Sequence, residues 1–200
     1  TRTYWYTCGA EKVKIGIYGG SFNPVHNGHL NIVKYILTQL KLDKIIVIPV
    51  GKPSHRADNL ESAASRIEMC RAAFENIHNV EVSEIEIAKD KTSYTINTLK
   101  KIIQIYGNKN EFYEIIGEDS AFHFKEWKNY EEILQLSKVV VLRRKGYIGE
   151  IQHENMLYLE SPFFNVSSTE IREKIKNKID ITNLVPEKVK KIIEENNLYK

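Results

Sequence analysis

Residues 13–40 read VKIGIYGGSFNPVHNGHLNIVKYILTQL: a short β-branched run, a turn bearing glycine and proline, and then a helical stripe. The apolar run Val13 to Tyr18 predicts a strand. The paired glycines of Gly19-Gly20-Ser21-Phe22-Asn23-Pro24 let backbone amides come close to a ligand, and proline fixes the approach to the next element. Leu30, Val33, Ile36, Leu37 and Leu40 recur at i, i+3 and i+4 spacing, which predicts a helix starting near Gly28 with that stripe buried on a sheet. His26 in the loop and His29 in the first helical turn lie three residues apart, so both can face a ligand at the positive end of the helix. Such a turn can grip phosphate oxygens. The same residues also fit a strand-to-helix turn that binds nothing, or part of a metal site. No further His, Cys or carboxylate lies at ligand spacing nearby, which argues against the metal.

The pattern repeats outward. Ile45 to Val50 predicts a second strand, Ser65 to Ile77 a helix, and Val80 to Ile87 an extended segment. Ile96, Leu99, Ile102 and Ile103 mark a helix ending before Gly107, and Glu111 to Gly117 a fourth strand. Val139 to Leu142 and Met156 to Leu159 supply two more strands. Ile171 and Ile175, then Val185, Val189 and Ile192, outline two closing helices. Strands alternating with helices are the mark of βαβ units on a parallel sheet, so the expected class is α/β, with one domain over residues 13–200. Residues 1–12 carry no stripe and read as a tag or an N-terminal extension. Lys145 to Glu154, polar and with two glycines, reads as a surface connection.

Composition narrows the function. A chain of 200 residues with 42% hydrophobic content can bury a sizeable core. A net charge of +3, from 29 basic and 26 acidic residues, lacks the concentrated charge of a dedicated nucleic-acid binder and suits a small anionic substrate. The Lys-rich helix near residue 190 reads as a solvated face. Cys8 and Cys70 form no C-x-x-C pattern, and no apolar run is long enough to span a bilayer. A soluble protein of the reducing cytoplasm is expected, with no membrane partner; a homo-oligomer is left open.

A second cluster, Ser167-Ser168-Thr169-Glu170-Ile171-Arg172, lies far along the chain. Ser167 with Glu170 is a capping box that any helix could use. Capping does not explain Arg172, one turn in and able to offer a bidentate fork to phosphate. Together the two stretches resemble the H-x-G-H and S-S-T-x-x-R signatures of the nucleotidyltransferases related to class I aminoacyl-tRNA synthetases. That resemblance implies a Rossmann-like parallel sheet flanked by helices on both faces, with the second signature closing over the ATP β- and γ-phosphates.

Between the signatures, the chain from Val13 to Lys200 resembles the bacterial nicotinate mononucleotide adenylyltransferases. Ile48-Pro49-Val50-Gly51-Lys52-Pro53-Ser54-His55-Arg56 is similar to a strand exit ending in P-P-H-K or P-P-H-R, with Ser54 in place of the second proline. Ser93-Tyr94-Thr95-Ile96-Asn97-Thr98 resembles S-Y-T-x-D-T, with Asn97 where many members have Asp. Gly117-Glu118-Asp119-Ser120 followed by Trp127 resembles G-x-D-S with its tryptophan. The resemblance implies catalytic roles for His26, His29 and Arg172. It implies ATP contacts by Gly19, Gly20, Ser21, Phe22, Gly117, Asp119, Ser167, Ser168 and Thr169, with Asp119 on a ribose hydroxyl. It assigns mononucleotide contacts to His55, Arg56, Thr95 and Trp127, the tryptophan stacking on the nicotinate ring; a core or lid aromatic is the competing reading of Trp127.

The implied reaction is in-line attack of the mononucleotide phosphate on the α-phosphorus of ATP, giving deamido-NAD and pyrophosphate, with Mg²⁺ bridging ATP phosphates and no metal site of the protein's own. The alternatives are the same transfer to nicotinamide mononucleotide or phosphopantetheine, a nucleotide-binding module without catalysis, and an RNA-associated relative. The cytidylyltransferase signature R-T-x-G-I-S-T is absent.

Overall fold

The β-branched runs are buried on both sides, as parallel strands between two helical layers must be. The computed structural model describes residues 12–51, 60–87, 93–143, 151–162 and 164–200. Six strands, β1 (Lys14–Gly20), β2 (Lys44–Pro49), β3 (Val80–Val82), β4 (Glu111–Gly117), β5 (Lys138–Arg143) and β6 (Met156–Glu160), form one sheet in the order β3-β2-β1-β4-β5-β6. Every pairing is parallel. This is an α/β fold of Rossmann-like order.

Alternation along the strands divides the core. Ile45, Val47, Ile115 and Val140 meet α1 (Asn27–Gln39), α2 (Ala63–Phe74), α6 (Ser168–Lys176) and α7 (Glu187–Glu195), through Val33, Met69, Ile171 and Val189 among others. Ile15, Ile17, Ile46, Ile48 and Val139 face the other way, onto α3 (Thr95–Tyr106), α4 (Glu118–Phe122) and α5 (Tyr130–Leu136), through Leu99, Ala121 and Ile133. The predicted stripe of α1 is real: Val33 and Ile36 are buried, with Leu30, Leu37 and Leu40 packed beside them. α3 ends at Gly107, whose φ of 91° suits glycine.

One expectation needs correction. The extended segment of residues 80–87 is a strand only over Val80–Val82. β3 lies at the sheet edge, its pairing stops beside Val47, and Glu84 to Ile87 turn instead, the Ile87 N–H donating to the Glu84 carbonyl at 2.9 Å. Residues 118–136, read only for their motif, hold α4, a 3₁₀ turn at Phe124–Glu126 and α5. These pieces are too short for a full helical stripe to announce them. Residues 1–11 and residues 145–150 of the predicted connection lie outside the described residues.

Strand order reverses between β1 and β4, so the C-terminal ends of these strands open onto the crevice where such sheets hold ligands. Gly20 ends β1 and Gly117 ends β4, which puts the two glycine motifs side by side. No described helix is long and apolar enough to cross a membrane.

Candidate active site

The turn after β1 is held by its carbonyls. The Gly20 carbonyl accepts the Val50 N–H at 2.8 Å, Ser21 accepts Arg66 Nη1 at 2.9 Å, Asn23 accepts Arg172 Nη1 at 2.7 Å, and Pro24 accepts the Ser168 hydroxyl at 2.9 Å. Donors from three other parts of the chain thus fix the loop from behind. A Cβ built on Gly19 or on Gly117 would meet nothing within 4 Å, so both glycines border open space at the strand ends. Phe22, expected at the nucleotide, is buried with a φ of 45°, edge-on to the Tyr18 and His29 rings. Its side chain supports His29, and only its backbone can serve a ligand.

His26 is the N-cap of α1 and His29 its third residue, as the spacing predicts. Their rings stack with centroids 3.7 Å apart. The His26 N–H donates to His29 Nδ1 at 3.1 Å, so the neutral His29 carries its proton on Nε2. Burial pulls the His26 pKa down to about 4; burial and the His26 ring hold His29 well below the usual range. Both rings are therefore neutral at pH 7, and His26 Nδ1 is buried with no hydrogen-bond partner among the described residues. An anion that accepts a hydrogen bond at this helix start would favour protonation of either ring. Gly28 between them is a packing requirement: a Cβ there would lie 2.9 Å from Val166 Cγ1 and 3.0 Å from His26 Nδ1.

The second signature arrives at the same place. Ser167 caps α6, its hydroxyl accepting the Glu170 N–H at 3.1 Å, so the capping reading holds for that residue. Ser168 and Arg172 instead reach across to Pro24 and Asn23. Arg172 Nη2 also donates to the Thr169 hydroxyl at 3.2 Å, so its fork is held at the rim of the turn with a second N–H left on each Nη nitrogen.

On the other side, Thr95 opens α3, and Trp127 follows the 3₁₀ turn, half-buried against Phe124 with ring centroids 5.3 Å apart. Lys128 Nζ sits 4.8 Å from the Tyr94 ring centroid, which brings the neighbours of Thr95 and Trp127 together. Asp119 is exposed in the first turn of α4, beyond β4. Asn97 is exposed, so the Asp-to-Asn departure leaves the core untouched. His55 and Arg56 lie outside the described residues.

The sequence reading missed Arg66, buried at 1% exposure, whose Nε donates to the Glu61 carbonyl at 3.0 Å. Its signal was present: Arg66 shares a helical stripe with Met69, Cys70 and Ala73, and a charge in a buried stripe has to be held by partners. Among the described residues, no three His, Cys, Asp or Glu side chains are grouped to hold a metal ion.

The Cytidylyltransferase-like family matches residues 17–174, from the first strand through both signatures. A protein of Fusobacterium nucleatum, named a probable nicotinate-nucleotide adenylyltransferase, is 54% identical over 92% of this chain and 98% of its own length. The chain belongs to the nicotinate-nucleotide adenylyltransferase family. A Clostridium novyi member with the same name is 38% identical over 94% of the chain and 99% of its own. The fold of the family agrees: the Plasmodium falciparum nicotinic acid mononucleotide adenylyltransferase, solved in complex with NaAD, superposes with a TM-score of 0.76 at 20% identity, covering 94% of this chain and 97% of that one.

Proposed function

We propose that the crevice between β1 and β4 transfers the AMP part of ATP to nicotinate mononucleotide, giving deamido-NAD and pyrophosphate. One observation carries this reading: Ser168 and Arg172 close on the carbonyls of the histidine turn, in a chain similar to nicotinate-nucleotide adenylyltransferases over more than nine-tenths of its length. In-line attack of the mononucleotide phosphate on the α-phosphorus needs positioning and charge neutralisation, and no covalent intermediate. His29 donates through Nε2–H, and His26 offers its unpartnered nitrogen beside it. Arg172 takes the leaving pyrophosphate. The Ser168 hydroxyl is engaged with Pro24 and buried Cys70 has its pKa pushed up, so neither is an activated nucleophile. Mg²⁺ enters with the substrate as MgATP, bridged by the phosphates and water, where it neutralises their charge. Thr95, Trp127, His55 and Arg56 serve the mononucleotide, and Gly19, Gly20, Ser21, Gly117, Asp119, Ser167 and Thr169 border the ATP. The enzyme is one catalytic domain over residues 13–200.

The test is pyrophosphate release from MgATP with nicotinate mononucleotide, nicotinamide mononucleotide or phosphopantetheine supplied separately. Release with the first acceptor alone supports the reading. Release only with another acceptor overturns the substrate and keeps the mechanism, whereas none with any overturns catalysis.

A further inference from the structure

The phosphate turn is also held from a direction that neither signature supplies. After α7 the chain bends at Asn197, with a φ of 52°, and buries Leu198 and Tyr199. Tyr199 itself has a φ of 64°, which a bulky L-residue keeps only where its surroundings hold it there. Those surroundings are the turn. The Tyr199 hydroxyl donates to Asn23 Oδ1 at 3.0 Å, and the Tyr199 N–H donates to Glu61 Oε1 at 3.2 Å. The Glu61 N–H donates to the same Asn23 Oδ1 at 3.1 Å, while the Glu61 carbonyl accepts Arg66, which also holds Ser21. Asn23, Glu61, Arg66 and Tyr199 therefore make a largely buried network, with Glu61 at its half-buried edge, in which both lone pairs of Asn23 Oδ1 are used.

We propose that Tyr199 is a positioning residue for the ATP-phosphate turn, acting through Asn23. Its hydroxyl fixes the Asn23 side chain, and the Asn23 carbonyl in turn seats Arg172 while the next carbonyl, of Pro24, seats Ser168. A small tilt of Asn23 displaces Arg172 and the approach to His26 together. Neither signature contains this tyrosine. The proposal rests on the reading of the turn as the ATP-phosphate site.

Tyr199→Phe keeps the ring and removes one hydrogen bond, so it leaves packing intact. Calorimetric binding of MgATP, steady-state kinetics and thermal melting are measured on this variant and on Leu198→Ala, which weakens packing without touching Asn23. Tyr199→Phe is expected to weaken MgATP binding about tenfold and lower kcat/KM for ATP by the same factor, with KM for the mononucleotide unchanged. Leu198→Ala is expected to lower Tm more and leave ATP affinity unchanged. Unchanged ATP affinity in Tyr199→Phe, or affinity that follows Tm across both variants, overturns the proposal. A wild-type protein that binds MgATP without releasing pyrophosphate would sink the proposed transfer alone, because the binding comparison still decides the role of Tyr199.

Discussion

The Ser168 hydroxyl donates to the Pro24 carbonyl at 2.9 Å, tying together two residues that are 144 positions apart in the chain. With Arg172 on the neighbouring carbonyl of Asn23, the start of α6 is docked on the turn that begins α1. Two helix starts therefore converge on one loop, and each brings a positive dipole end to the same crevice.

Removing that tie should loosen the site. Ser168→Ala leaves the Pro24 carbonyl without its donor, at a cost of about 1 kcal/mol of stability. Because α6 carries Arg172, kcat/KM should fall at least tenfold. Urea unfolding and steady-state kinetics check the two parts; full activity despite the lost stability would mean that the contact only supports the fold.

Gly28→Ala isolates packing at the histidines. In an open helix the change stabilises by about 1 kcal/mol. Here the new methyl lies 2.9 Å from Val166 Cγ1 and 3.0 Å from His26 Nδ1, so the His26 ring or Val166 has to move. Turnover is expected to drop by more than tenfold while Tm fails to rise. A stabilised variant with normal turnover would show that the site relaxes freely.

The particular residues show how much could be read beforehand. Strand and helix positions from Val13 to Leu40 were legible because period-two and period-3.6 patterns were unbroken there, and the histidine spacing put His26 before the helix and His29 in its first turn. α5 was not legible, since Tyr130–Leu136 spans only two turns. Tyr199 escaped because its importance lies in its contact with Asn23, which sequence separation conceals; for Arg66 the stripe of α2 carried a signal, but not the partner Ser21. Arg172 was singled out as a phosphate-binding candidate, but its bond to the Asn23 carbonyl is a tertiary fact that no motif carries.

In the proposed transfer His29 donates through Nε2–H to the phosphates, and that contact should strengthen as charge moves to the leaving group. His29→Ala is therefore expected to lower kcat at least a hundredfold with ATP affinity changed by less than threefold. Calorimetry with MgATP and single-turnover kinetics separate the two. Lost affinity with unchanged turnover would contradict this role.

Acid should unfold the protein through the same pair. His26 titrates near 4 when folded, against about 6.5 when unfolded. Between these values the unfolded chain holds the extra proton, so stability rises with pH across the window and is fully present above about 6.5. The contribution lost by pH 4 is about 3 kcal/mol, and His29 adds loss of the same sign. His26→Gln should flatten the curve of stability against pH from 4 to 7. An unchanged curve would place the acid sensitivity elsewhere.

Glu114 predicts the opposite slope. It is buried on β4 with Oε2 unpartnered among the described residues, and burial followed by the Glu86 carboxylate raises its pKa to about 8. Glu86 is itself fixed by the Thr98 hydroxyl at 2.7 Å, so the two carboxyl groups stay close. The folded chain must keep Glu114 protonated at neutral pH while the unfolded chain ionises near 4.5, so stability is full below about 4.5 and falls as pH rises towards 8. Glu114→Gln keeps the shape without the proton, and should stabilise by about 3 kcal/mol at pH 7 with little effect at pH 4.5. Urea unfolding at both pH values decides it: equal gains at the two, or a loss at pH 7, would mean that the carboxyl is relieved by a partner when it ionises.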